Sequence, residues 1–154
     1  MSEEEKKLAM DLFNKVWDLM DKGNRTEDEN YLMVHMAHSS LYHWISVGTP
    51  ENVYIGEWQI SRVYAVLNNF DSCLFHGERA LKICKENGFT GFHLAYAYET
   101  LARAFLIKGN KSESTKYLEL ALKEVQVVEE PENKDILKKD LDELQSKIQI
   151  AFIS

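Results

Sequence analysis

The chain has 154 residues, 45% of them hydrophobic, 11% aromatic and 28% charged, with a formal net charge of −7. This length fits one domain around one core, and the apolar content excludes wholesale disorder. An acidic balance without a long basic run excludes a grip on nucleic acid or an anionic membrane surface, and no stretch approaches the ~20 apolar residues that span a bilayer.

Seven glycines and two prolines are few, as in a helical chain with short turns. The N-terminus, Ser2-Glu3-Glu4-Glu5, is acidic where a secretory signal would be basic, so the expected address is the cytoplasm. Ser2 and Glu5 have the spacing of a capping box for a first helix to about Lys22, with a stripe at Leu8, Leu12, Val16 and Leu19. Thr26 and Glu29 form a second box, opening a helix that closes at Gly48. Thr49-Pro50 starts a third, since proline at the first helical position loses no hydrogen bond, and Asn68-Asn69 turns the chain. Asp71 is the expected cap of the fourth helix, which ends at Asn87-Gly88. The fifth begins near Phe92 and stops at Gly109-Asn110, and the sixth, with Ser112 as its expected cap, fades by Glu130. Pro131 opens a seventh, whose Leu137, Leu141, Leu144 and Ile148 form an apolar seam. Cys73 and Cys84, 11 residues apart on one helix, are separated by roughly 16 Å and cannot bridge; buried reduced thiols are expected.

Sliding the chain by 41 residues lays Ile60–Cys84 over Leu101–Val125. Arg62/Arg103, Asn69/Asn110, Glu78/Glu119, Ala80/Ala121, Leu81/Leu122 and Lys82/Lys123 are then identical, and Ser61/Ala102, Tyr64/Phe105 and Cys73/Ser114 are conservative. Repeated helical pairs that cannot bury an apolar face alone stack into solenoids.

The second copy, Tyr98-x2-Leu101-Ala102-x2-Phe105 followed by Ser114-x3-Leu118-x2-Ala121, resembles the tetratricopeptide repeat family. The first copy gives Ile60-Ser61-x2-Tyr64, Cys73 and Ala80, and departs from the family at Glu57, at Gly77 and in lacking the proline after the second helix. The 41-residue period resembles the long-helix variety of kinesin light chains and bacterial peptide-sensing regulators. The likeness covers about residues 54–128 well and 3–48 weakly. It implies an all-α, right-handed stack of antiparallel hairpins (3–48, 50–87, 92–129) with a capping helix at 132–152. It also implies a non-catalytic adaptor or regulator that holds a protein segment or peptide on its concave face.

On that face the expected groove residues are Trp58, Gln59 and Arg62 from the third helix and Tyr96, Glu99 and Arg103 from the fifth, with Ile55, Val66, Thr100 and Ile107 beside them. Arg62 and Arg103 occupy equivalent places and can hold a carboxylate bidentately, or instead pair with Glu57 or Glu99 as scaffolding. Chaperone-binding relatives use lysine and asparagine there, so this chain departs from their ligand.

His35, His38 and His43 crowd the second helix, and His35 with His38 and a carboxylate such as Glu57 sketch a metal-dependent alternative. Packed, hydrogen-bonded histidines beside Tyr42 and Trp44 are the simpler expectation, and no metal or cofactor is assigned. No nucleophile elbow, phosphate loop or Cys–His pair occurs in the sequence, so no catalytic residue is assigned. The apolar ending Ile148–Ile153 is expected to pack on the sixth helix, to form a homodimer contact or to enter a neighbour's groove; a purely structural homo-oligomer is a further alternative.

Overall fold

In the computed structural model, which describes residues 2–153, seven helices follow these signals. They are α1 (Ser2–Met20), α2 (Glu27–Val47), α3 (Pro50–Val66), α4 (Phe70–Asn87), α5 (Phe92–Lys108), α6 (Lys111–Glu124) and α7 (Pro131–Ala151). A short 3-10 turn, Val125–Val127, links the last two. Helices adjacent in sequence are adjacent in space, giving an all-α stack of hairpins α1–α2, α3–α4 and α5–α6 with α7 laid against α5 and α6. Among the described residues there is no strand, and no helix is long and apolar enough to cross a membrane.

Capping chemistry sets the boundaries. Thr26 and Glu29 exchange both bonds of a capping box, and Thr49 with Asn52 does the same ahead of Pro50. Asp71 and Ser112 are not the caps of α4 and α6. Asn69 and Asn110 take those places, accepting from the Ser72 and Glu113 backbone N–H at 3.1 Å each. The same two residues close the preceding helices, their N–H groups donating to the Tyr64 and Phe105 carbonyls at 2.9 Å. Asn68 (φ 58°) and Gly109 (φ 79°) supply the left-handed residue that this closure needs. The expected box at Ser2 lies at the edge of the described residues, with Ser2 already helical.

The 41-residue offset is visible in the packing of each hairpin. Ser61 Oγ donates to the Cys73 carbonyl at 2.7 Å in the first copy; in the second, Ser114 Oγ donates to the Ala102 carbonyl at 2.9 Å. The same joint is tied in both copies, with the hydroxyl moved to the opposite helix. Gly77 marks a close approach of α4 to α5, because a Cβ there would lie 3.1 Å from both Leu101 and Thr100.

Three apolar clusters make the core: α2 and α3 close one with Val16, α3, α4 and α5 share a second, and α5, α6 and α7 share the third. Leu137, Leu141, Leu144 and Ile148 bury the α7 seam inside the molecule, while Ile150 and Ile153 remain exposed. On α1 the expected stripe holds at Val16, fully buried, and at Leu12 and Leu19, partly buried, but fails at its first position. There Ala9 is fully buried and Leu8 is exposed, and Ser40 Oγ of α2 donates to the Ala9 carbonyl at 2.7 Å.

Candidate functional site

Side chains four residues apart share one face of a helix. Tyr54 with Trp58 on α3, Phe92 with Tyr96 on α5, and Ile136 with Asp140 on α7 obey that spacing, and with Ile55 and His93 they line an open cavity of about 310 Å³. Trp58 and Tyr96 meet at 5.5 Å and 68°, Phe92 and Tyr96 at 5.0 Å and 75°, and Trp17 of α1 backs Trp58 at 5.6 Å. The polar ends are tied down: the Tyr54 hydroxyl donates to the His93 carbonyl and the Tyr96 hydroxyl to the Asp140 carboxylate, each at 2.6 Å. Burial, then the bond to Asp140, pushes the Tyr96 hydroxyl far above its ordinary range, so it remains a donor. Among the described residues the buried Trp58 indole N–H has no acceptor.

About two to three turns further along the same helices, Arg62, Val66, Arg103, Ile107 and Lys147 line a second cavity of about 550 Å³. Its two guanidinium groups converge on Glu99, which is fully buried. Arg62 Nη1 donates to Glu99 Oε2 at 3.2 Å and Arg103 Nη2 donates to the same oxygen at 3.1 Å. Arg103 Nε lies 3.0 Å from Glu99 Oε1 but off the bonding line, an ion pair without a hydrogen bond. Burial alone would depress the Arg103 guanidinium; the facing Glu99 carboxylate, helped by Asp140 and Glu143, outweighs that and holds it above its usual range.

No family model and no curated protein matches the chain. The tetratricopeptide likeness rests on the sequence motifs themselves.

Of the six expected groove residues, Trp58 and Tyr96 line the first cavity and Arg62 and Arg103 the second. Glu99 and Gln59 lie beneath the surface. Glu99 sits where the 41-residue offset puts Trp58 in the first copy, and it serves as internal counter-ion to both arginines, the scaffolding arrangement. Gln59 is fully buried and donates to the Phe13 carbonyl at 3.0 Å, so it ties α3 to α1 and is not open to a ligand. Thr100 likewise faces inward, 2.6 Å from Ser61 Oγ.

The histidines are occupied by neighbours. His38 Nε2 lies 2.9 Å from the Tyr64 hydroxyl, His35 packs on the Tyr31 ring, and His43 Nδ1 is 3.0 Å from Glu5. Glu57, the carboxylate invoked for a metal, is 2.7 Å from His76 Nδ1. Among the described residues no group of three or more His, Cys, Asp or Glu side chains is arranged to hold a metal ion. Both cysteines are buried and unbridged; burial raises the Cys73 thiol and pushes Cys84 to about 12.

The sequence reading omits α7 from the site. Its signal is nonetheless present: Ile136, Asp140, Glu143 and Lys147 repeat the 4-3-4 spacing of the buried seam one residue earlier, and so form the strip beside it. Phe92 reads in the sequence only as the start of the fifth helix.

Proposed function

We propose that this chain is a non-catalytic binding module of the tetratricopeptide-repeat kind, which holds an extended peptide or partner segment along α3, α5 and α7. The observation that carries this reading is the pair of cavities on the same three helices, one aromatic and one cationic. Counting residues along α3 and α5 at about 1.5 Å each separates them by roughly 12–16 Å, the reach of four to five extended residues at about 3.3 Å. A ligand with an apolar side chain at one end and a carboxylate at the other fits that spacing. The remaining N–H groups of Arg62 and Arg103, oriented by Glu99, and the Lys147 ammonium supply its donors.

Panning a displayed library of random 12-residue peptides on the purified protein tests the reading. Ile136→Glu and Lys147→Glu change groove side chains that take no part in the Glu99 clamp, Ile136 being 53% exposed. Each should weaken a selected peptide tenfold or more while leaving the helical signal intact, whereas Tyr42→Glu on the outer face of α2 should change nothing. Peptides indifferent to both groove variants and lost with Tyr42→Glu would place binding elsewhere and refute the proposal.

A further inference from the structure

The first cavity has an unusual composition. Four of its lining residues are Tyr54, Trp58, Phe92 and Tyr96, and its carboxylate is Asp140. None of the lining residues is Lys or Arg, and the one histidine, His93, lies 3.1 Å from the Glu51 carboxylate. Where these rings touch they are steeply inclined to one another, at 68° for Trp58–Tyr96 and 75° for Phe92–Tyr96, so they wall a volume instead of stacking. The carboxylate is fixed in place because Asp140 Oδ2 accepts from Tyr96, and among the described residues Oδ1 accepts no hydrogen bond.

Aromatic faces carry negative potential, and a ring box with one carboxylate attracts a cation that is too greasy to demand water. A neutral aliphatic group would gain the apolar walls but would make no use of Asp140. An anion would meet Asp140 at close range. The first turn of α5, Phe92 and His93, lines the cavity and adds positive potential, which Asp140 and Glu124, accepting from the Gly91 N–H at 3.0 Å, offset.

We infer that this cavity is a receptor for an alkylated ammonium group carried on a side chain of the bound peptide, a methylated lysine being the simplest case. The pocket is one end of the groove proposed above, and its ligand chemistry rests on that reading. The full ligand then pairs a methylated cation in the aromatic end with an acidic group four to five residues away at Arg62, Arg103 and Lys147.

The experiment is an NMR titration of the intact chain, following the indole N–H of Trp58 among its three tryptophans. The probes are a six-residue peptide with trimethyllysine at the start and glutamate at the end, the isosteric peptide with carbon in place of the quaternary nitrogen, and choline. The cationic peptide should bind about tenfold more tightly than its neutral isostere, and Asp140→Asn, which keeps an acceptor for Tyr96, should abolish most of that preference. Equal or tighter binding of the neutral isostere would overturn the cation site while leaving the peptide groove standing. Choline binding as tightly as the peptide would overturn the side-chain source and count against the groove.

Discussion

The Glu99 clamp makes a quantitative demand on stability. Glu99 is fully buried, and its counter-ions Arg62 and Arg103 have side chains 19% and 10% exposed, so solvent screens the cluster little. Removing one partner of such a pair strands a buried charge and costs about 3–5 kcal/mol. Arg103→Ala should fall in that range. Arg62→Ala should cost about 1–3 kcal/mol, since it is the more exposed and Arg103 stays in place. Removing both arginines leaves a bare carboxylate in the core, a loss comparable with the ~5–15 kcal/mol that holds a domain of this size together. With Glu99→Gln already present, Arg103→Ala should cost only about 1–2 kcal/mol, because no charge is then stranded. The double-mutant cycle therefore predicts a coupling energy of about 2–3 kcal/mol. Urea unfolding followed by far-ultraviolet circular dichroism measures it, provided the denaturant slope is unchanged among the variants. A coupling energy below about 0.5 kcal/mol would refute the clamp. A confirmed clamp also means that binding defects in arginine-to-alanine variants report unfolding unless Glu99 is neutralised with them.

Three more outcomes follow from named contacts. Partial burial, and then the neighbouring His76, lowers the His38 pKa despite an opposing pull from Glu57; a ring held neutral in the fold means the unfolded chain takes up the proton first, so stability falls as pH drops through about 6.5, by at most about 1.4 kcal/mol per pH unit. His38→Gln, which keeps a partner for Tyr64, should reduce the loss of thermal midpoint between pH 7.5 and 5.5, and an identical loss in the variant would contradict this. Gly77→Ala gains helix propensity worth about 1 kcal/mol, but its Cβ would press on Leu101 and Thr100, both buried; overpacking of about 1–3 kcal/mol outweighs the gain, and a stabilised variant in the same urea assay would show that the joint is loose. Neither Cys73 nor Cys84 should react with a thiol reagent in the native protein, and both should react once it unfolds; one rapidly labelled thiol would disprove their burial.

How much of this the sequence disclosed depends on whether the cause was local. Thr26 with Glu29 is legible because donor and acceptor lie within one turn, and Thr49-Pro50 because proline suits the first helical position. Asp71 and Ser112 mislead because Asn69 and Asn110 each do two jobs, ending one helix through the backbone and capping the next through the side chain. The repeat offset correctly brings Arg62 and Arg103 to one place, since it depends only on register. It does not disclose that Glu99 is sealed between them, or that Gln59 faces α1, because depth is decided by which helix packs on top. The contribution of α7 is missed for a related reason: its buried seam is conspicuous, whereas Asp140 and Lys147 acquire meaning only when the helix is laid beside α5.

The most direct test of the central claim is to map the amide shifts of the isotope-labelled chain on adding a library-selected peptide. The account predicts that perturbations concentrate on α3, α5 and the Ile136–Lys147 strip of α7, with both cavities affected by one peptide. Shifts confined to the outer faces of α2 and α4, around Tyr31, Tyr42 and Phe75, would contradict it.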